Sequence, residues 1–183
     1  MSEKKETQGK ETVKEMVLKV SDMDPKFKYQ ISKLPGAENV LLCFQCGTCT
    51  ADCPIARFSD FYRPRKLIRM IQLGLKNKLL SNDTIWLCST CFTCIDHCPQ
   101  DAGIANAVRA LRNLTVKEGK MPVVYKELAS NILKTGYAYM IPSLRLKKRE
   151  EGGLPSLPRA NLENLAKLFN LTGLSKMLER VET

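Results

Sequence analysis

All eight cysteines of this 183-residue chain fall into two copies of one motif. Each copy has the spacing Cys-x2-Cys-x2-Cys-x3-Cys-Pro, at residues 43–54 and again at residues 88–99. This is the spacing of bacterial-type 4Fe-4S proteins, in which three closely spaced cysteines wrap one cluster and the fourth binds the other cluster. The sequence therefore predicts two 4Fe-4S clusters.

The ligand sets follow from this exchange of the fourth cysteine between the motifs. The ligands expected for the first cluster are Cys43, Cys46, Cys49 and Cys98. Those expected for the second cluster are Cys88, Cys91, Cys94 and Cys53. Because each cluster takes a ligand from both motifs, the two halves of the chain are expected to be held together at the clusters.

Zinc and disulfides are the alternatives for so many cysteines. A structural zinc site joins pairs of Cys-x2-Cys into one tetrahedral set of four, and two complete copies of the longer motif are not typical of it. Disulfides require an oxidising compartment. The first 19 residues alternate Lys and Glu and contain no apolar stretch typical of a signal peptide, so we expect a cytoplasmic protein.

Three residues between the ligands are candidates for a supporting role. Thr48 and Thr93 stand at matching positions directly before Cys49 and Cys94, where a hydroxyl or backbone N–H is expected to reach a cluster sulfur. Hydrogen bonds to sulfur tune the reduction potential of a cluster. His97 is the only histidine, and its position before Cys98 is compatible with simple packing or with a proton-coupled role.

The net charge of +10 is concentrated in two segments, residues 61–80 with +6 and residues 121–150 with +4. Residues 61–80 contain no acidic residue and six basic ones, which are Arg63, Arg65, Lys66, Arg69, Lys76 and Lys78. Two interpretations stay open, a solvated helix face or a docking face for an acidic partner. Nucleic acid is not expected as a partner, because Phe58, Phe61 and Tyr62 precede the basic residues instead of alternating with them.

Hydrophobic periodicity predicts an all-α scaffold. One helix is expected from Pro64 between the motifs, one from Ile104 to near Gly119, and one from Pro122 to Gly136. Residues 151–158 are typical of a linker, and a pair of amphipathic helices is expected after it. Another amphipathic helix is expected near the N-terminus, with apolar residues Val13, Met16, Val17 and Val20.

These patterns suggest three segments. Residues 1–34 form an N-terminal extension with a helix, residues 35–142 a helical ferredoxin domain with both clusters, and residues 143–183 a linker with a helical tail. No apolar run approaches the ~18 residues that a membrane span needs.

No catalytic residue is expected in this chain. It has no Gly-x-Gly-x-x-Gly motif, no P-loop, and no nucleophile for its single histidine to activate. Both cysteine motifs are complete, so no iron is left open for substrate. The predicted function is electron transfer.

Four segments together carry a resemblance to a known family. They are CFQCGTCTADCP at residues 43–54, YRPRKLIRM at 62–70, LGL at 73–75 and WLCSTCFTC at 86–94. The chain strongly resembles the C subunit of the heterodisulfide reductases of methanogens over residues 40–119, and more loosely to residue 142.

The resemblance implies a place for this chain in a larger oxidoreductase of methanogenesis. In that family, a flavin-containing and iron-sulfur A subunit passes electrons to the C subunit, and a hydrogenase or formate dehydrogenase supplies them. The B subunit has cysteine-rich CCG motifs and reduces the mixed disulfide of coenzyme M and coenzyme B. This chain has no adjacent cysteine pair, so the disulfide chemistry is expected in another polypeptide.

The alternative is an iron-sulfur subunit of the succinate/fumarate or glycolate/lactate oxidoreductase type. Such subunits usually add a plant-type 2Fe-2S domain or CCG domains, and 183 residues leave room for neither.

Overall fold

A computed structural model of the chain describes residues 18–180, and the regular structure in that range is helical with no strand. The α-helices are α1 (Phe27–Ser32), α2 (Thr48–Ala51), α3 (Pro54–Phe58), α4 (Pro64–Gln72), α5 (Lys76–Leu80), α6 (Thr93–Asp96), α7 (Ile104–Lys117), α8 (Val123–Thr135), α9 (Ser143–Glu151), α10 (Leu162–Leu171) and α11 (Leu174–Arg180). Short 3-10 turns occur at Val20–Asp22, Glu38–Leu42 and Asp83–Leu87. The all-α prediction is confirmed.

The chain divides into two compact units, Met1–Asn113 and Leu114–Thr183. This division is not the same as the expected segments 1–34, 35–142 and 143–183, which stay a prediction about functional domains. The N-terminal helix expected around Val13, Met16 and Val17 lies outside the described residues, and Val20 belongs to a 3-10 turn.

The core of the first unit is built from the segments on both sides of each cysteine motif. Helix α1 buries Phe27 and Ile31 completely and packs against the turn Glu38–Leu42 and against α4. Helix α7 buries Val108 and Leu111 in the same unit. Residues that precede the first motif are therefore part of the core that positions it.

Helix α4 between the motifs begins at the residue that its sequence predicts. Pro64 occupies the first turn, where a missing N–H costs nothing. The helix ends at Gln72, and Gly74 follows with a φ of +74°. A Cβ at Gly74 would lie 2.1 Å from the carbonyl oxygen of Asp24, so only glycine fits this turn.

The second unit contains the predicted helices α8, α10 and α11 and one further helix, α9. Ala129, Phe169 and Leu178 form its small buried core. Helix α9 was missed because its sequence, SLRLKKREE, is almost wholly exposed and has no apolar face to predict it. No helix within residues 18–180 is both long and apolar enough to cross a membrane.

Candidate metal centre

The sequence repeat is also a structural repeat. A 3-10 turn precedes each motif, at Glu38–Leu42 and Asp83–Leu87. A one-turn helix then begins directly before the third cysteine of each motif, α2 at Thr48 and α6 at Thr93. Helices α2 and α6 pack against each other. The two cysteine motifs therefore meet in the first unit.

Left-handed backbone conformations shape both cysteine loops. Gln45 and Thr90 have φ angles of 67° and 55°, and they occupy the same position in the two motifs. Gly47 and Phe92, two residues later in each motif, have φ angles of 96° and 64°. Left-handed backbone is unfavourable for most residues other than glycine. Both cysteine loops therefore adopt this unfavourable conformation at the same two positions.

The first motif is joined by Cys98 from the second. Cys49 is buried, and burial raises the pKa of its thiol to about 11. Nearby thiolates add to this pKa shift, and they belong to Cys43, Cys46 and Cys98. These are the four ligands expected for the first cluster.

The second motif is joined by Cys53 from the first. One small cavity is lined by Cys53, Cys88, Cys91 and Cys94. Burial raises the pKa of Cys94 to about 12, and the neighbouring thiolates of Cys88, Cys49 and Cys91 add to it. The cavity wall thus contains the four ligands expected for the second cluster.

The four thiols of each group and their separation from one another both suit 4Fe-4S clusters. Each group offers four thiols, which are the ligands of such a cluster. Among the described residues, no three or more His, Cys, Asp or Glu side chains lie close enough to share one metal ion. A cubane holds its four ligands on four separate irons, so it does not require them to converge on one point.

Each motif has one exposed cysteine whose thiolate is stabilised. Cys46 lies 3.4 Å from the hydroxyl of Thr48, and Cys91 lies 3.6 Å from that of Thr93. The pKa of Cys46 and that of Cys91 are both lowered, mainly because of these hydrogen bonds. The expected role of both threonines as partners of sulfur agrees with this geometry.

Further donors to sulfur were missed from the sequence. The Gln45 side chain donates to Cys43 Sγ at 3.4 Å, and the backbone N–H of Ala102 donates to Cys98 Sγ at 3.3 Å. Buried Tyr62 lies in the wall of the second cavity. Burial, together with its hydrogen bond to Cys88, raises the pKa of the Tyr62 phenol.

A side chain from a following helix holds the start of each motif. Gln72 at the end of α4 donates to the carbonyl oxygen of Cys43 at 2.8 Å. Arg112 on α7 donates to the carbonyl oxygens of Ile85, Trp86 and Cys88 at 2.9, 3.1 and 2.6 Å. Its guanidinium also lies 5.5 Å from the centre of the Trp86 ring. The second motif is therefore held by a cation, and the first by a neutral amide.

His97 connects the two motifs. Its Nδ1 lies 2.7 Å from Oδ2 of Asp52, the residue before Cys53. The two residues are each partly exposed, with side chains 55% and 35% accessible. His97 thus has a defined structural partner, and a proton-coupled role stays a prediction.

Replacing Arg112 with Gln is expected to lower the reduction potential of the second cluster and leave that of the first unchanged. The variant removes a positive charge near Cys88 and at least one of three charge-assisted hydrogen bonds, each worth about 1.5–3 kcal/mol. Arg109→Gln is the matched control, because it removes one exposed charge from the same helix. Redox titration followed by electron paramagnetic resonance (EPR) measures both potentials. Equal shifts in the two variants would contradict a specific role for Arg112.

Comparison with known proteins assigns the cysteine-rich region to a described domain. A family model described as a 4Fe-4S dicluster domain matches residues 39–102. This range contains all eight cysteines. The chain therefore carries two 4Fe-4S clusters, and the zinc and disulfide alternatives are not supported.

Relatives of known name match most of the chain. The C subunit of the H2:CoB-CoM heterodisulfide,ferredoxin reductase of Methanothermobacter marburgensis is 34% identical over 170 residues, which cover 90% of this chain and 91% of the relative. The iron-sulfur C subunit of the CoB-CoM heterodisulfide reductase of Methanopyrus kandleri is 34% identical over 178 residues, covering 90% and 92%. The C subunit of the ferredoxin:CoB-CoM heterodisulfide reductase of Methanosarcina mazei is 38% identical over 122 residues, covering 66% and 73%.

These relatives confirm the predicted electron-transfer role, and they do not favour the alternative among succinate/fumarate and glycolate/lactate oxidoreductases. The chain is an iron-sulfur, electron-transfer subunit of an oxidoreductase. It belongs to the family of heterodisulfide reductase C subunits.

Proposed function

We propose that this chain relays electrons through its two clusters inside a CoB-CoM heterodisulfide reductase. Electrons enter from a flavin-containing A subunit, and they leave to a B subunit, which reduces CoM-S-S-CoB. The observation that carries the relay is the meeting of the two motifs, since Cys98 lies near the first motif and Cys53 lines the cavity of the second. Two clusters that share their cysteine loops are close enough for direct electron exchange.

The proposed ligands are Cys43, Cys46, Cys49 and Cys98 for the first cluster, and Cys88, Cys91, Cys94 and Cys53 for the second. This assignment uses every cysteine of the chain. Reduction of CoM-S-S-CoB breaks the disulfide with two electrons and two protons, and it yields two thiols. With no spare thiol and no open iron in this chain, that bond cleavage belongs to the B subunit.

The upstream donor in this proposal is a hydrogenase or a formate dehydrogenase that acts through the A subunit. The names of some relatives support this class of donor, because they mention H2 or formate. The names of other relatives mention ferredoxin or F420H2 instead. We place the complex in the cytoplasm, where a reducing environment protects thiolate ligands from oxidation.

The isolated chain is expected to accept electrons without cleaving the heterodisulfide. Anaerobically purified protein should contain about eight irons and eight sulfides, and a strong reductant should reduce both clusters reversibly. Iron and sulfide assays with EPR test the cluster content, and thiol release from CoM-S-S-CoB tests the activity.

Addition of the A and B subunits with a reductant is expected to start thiol release that depends on this chain. Turnover by the isolated chain would contradict the division of labour. Stoichiometric zinc without sulfide would overturn the relay itself.

A further inference from the structure

Helix α4 presents a row of positive side chains on its exposed side. It buries Leu67, Ile68 and Ile71, and it exposes Arg65, Lys66 and Arg69, which we call the basic α4 face. None of these three side chains forms an ion pair with another described residue. Their charge is therefore available to a partner.

Arg63, the first basic residue of this segment, has a different role. Its guanidinium donates to the carbonyl oxygens of Ala56 and Ser59, both at 2.6 Å, and pairs with Asp60 at 3.2 Å. Arg63 thus fixes the loop before α4. Phe58 at the end of α3 and Phe61 in this loop are 94% and 80% exposed, which adds apolar surface next to the basic residues in the chain.

The basic α4 face begins beside the loop of the first cluster. The backbone N–H of Arg65 donates to the hydroxyl of Thr50 at 3.0 Å, and helices α2 and α4 pack together. The Arg65 side chain lies 3.8 Å from the position that a Cβ on Gly47 would occupy. Gly47 follows the exposed ligand Cys46, so this positive charge lies at the solvent-exposed edge of the first cluster.

No Lys or Arg is among the residues that line the cavity of the second cluster. Its exposed ligand is Cys91, and partly exposed Phe92 occupies the position of Gly47. Asp83 and Asp96 are the only Asp, Glu, Lys or Arg residues within residues 81–100. Arg112 is directed to backbone carbonyls of the motif. The exposed edges of the two clusters therefore differ in charge.

We propose that a protein partner with an acidic surface docks on the basic α4 face and exchanges electrons with the first cluster at its Cys46 edge. Exposed aromatic and Arg side chains are enriched at protein interfaces. Two oxidised clusters with their thiolates contribute about −2 each, so the loaded chain keeps about +6 of its +10. The proposal rests on the proposed relay and assigns one end of it to a surface.

The first test compares charge reversal on α4 with the same reversal elsewhere. The test variant is Arg65→Glu, Lys66→Glu and Arg69→Glu. The control variant is Arg145→Glu, Lys147→Glu and Lys148→Glu, which changes the net charge equally on the exposed helix α9. Association of each loaded chain with purified A and B subunits is measured by stopped flow over a range of ionic strength.

The α4 variant is expected to associate about tenfold more slowly at low salt and to show a flatter salt dependence. The control variant is expected to stay within about twofold of the unchanged chain. Equal effects of both variants would overturn the docking proposal. Failure of the unchanged chain to bind A and B would instead contradict the proposed function.

The second test uses small electron acceptors of opposite charge to locate the basic field. Each reduced first cluster gives one electron to a cobalt(III) complex, which becomes cobalt(II). At low salt, the ratio of the oxidation rate of the first cluster by anionic tris(oxalato)cobaltate to that by cationic hexaamminecobalt is expected to be higher for the unchanged chain than for the α4 variant. Freeze-quench EPR identifies the cluster oxidised first. An equal rate ratio in both proteins would overturn the assignment of the basic face to the first cluster.

Iron content shows whether the α4 variant keeps its clusters. Because the Arg65 side chain packs near Gly47, the double variant Lys66→Glu and Arg69→Glu repeats both tests without changing it. The double variant is expected to give smaller changes in the same direction, and an unchanged salt dependence would contradict the proposal.

Discussion

Replacing Cys98 with Ala is expected to remove the first cluster, although Cys98 belongs to the second motif. Cys98 lies close enough to Cys49 to raise the pKa of its thiol, and the N–H of Ala102 holds the Cys98 sulfur in place. Iron and sulfide should fall from about eight to about four per chain. The EPR spectrum should retain the signal of the cluster held by Cys88, Cys91 and Cys94.

Cys53→Ala is the matched variant and is expected to give the opposite result. Cys53 lines the cavity of Cys88, Cys91 and Cys94, so its loss should remove the second cluster and leave the first. Iron and sulfide should again fall to about four per chain. If Cys98→Ala removed the second cluster instead, each motif would bind its own cluster and the exchange of ligands would be wrong.

The sequence was sufficient to predict what depends on local spacing. The cysteine intervals identified the type of cluster, and the apolar periodicity with Pro64 gave the start of α4. Both signals lie within short segments, because cluster ligation and helix formation each use neighbouring residues.

The side chains that support the clusters could not be predicted in the same way. Gln72 and Arg112 reach backbone carbonyls 29 and 24 residues earlier in the chain. Their contacts depend on how α4 and α7 pack in the folded unit, which no local pattern encodes. The partner of His97 is also known only from the structure, since Asp52 lies 45 residues away.

Glycine usage shows the same separation between local and tertiary causes. Gly47 and Gly103 both have positive φ angles, of 96° and 62°. At Gly47 the nearest atoms to an added Cβ belong to the Arg65 side chain, at 3.8 Å. At Gly103 an added Cβ would lie 2.3 Å from the carbonyl oxygen of Gly36. One position is limited by backbone conformation alone, and the other also by a close tertiary contact.

Gly103→Ala is therefore expected to destabilise the first unit by about 3 kcal/mol or more, and Gly47→Ala by about 1 kcal/mol. Left-handed backbone costs a non-glycine residue about 1–2 kcal/mol, and Gly103→Ala adds a clash between backbone segments that no side-chain rotation relieves. Guanidinium unfolding of the loaded protein, followed anaerobically by circular dichroism, measures both losses.

Gly103→Ala is also expected to destabilise the first cluster more than the second. Gly103 directly follows Ala102, whose N–H donates to Cys98, so the displacement of this loop moves a ligand of the first cluster. In partial denaturant, Gly103→Ala should lose the EPR signal of the first cluster earlier than that of the second. Gly47→Ala also changes the loop of the first cluster, but it introduces no backbone clash. This variant is expected to lose both EPR signals together, at a denaturant concentration only slightly below that of the unchanged chain. Equal stability of the two variants would mean that the contact between Gly36 and Gly103 does not hold the Cys98 loop.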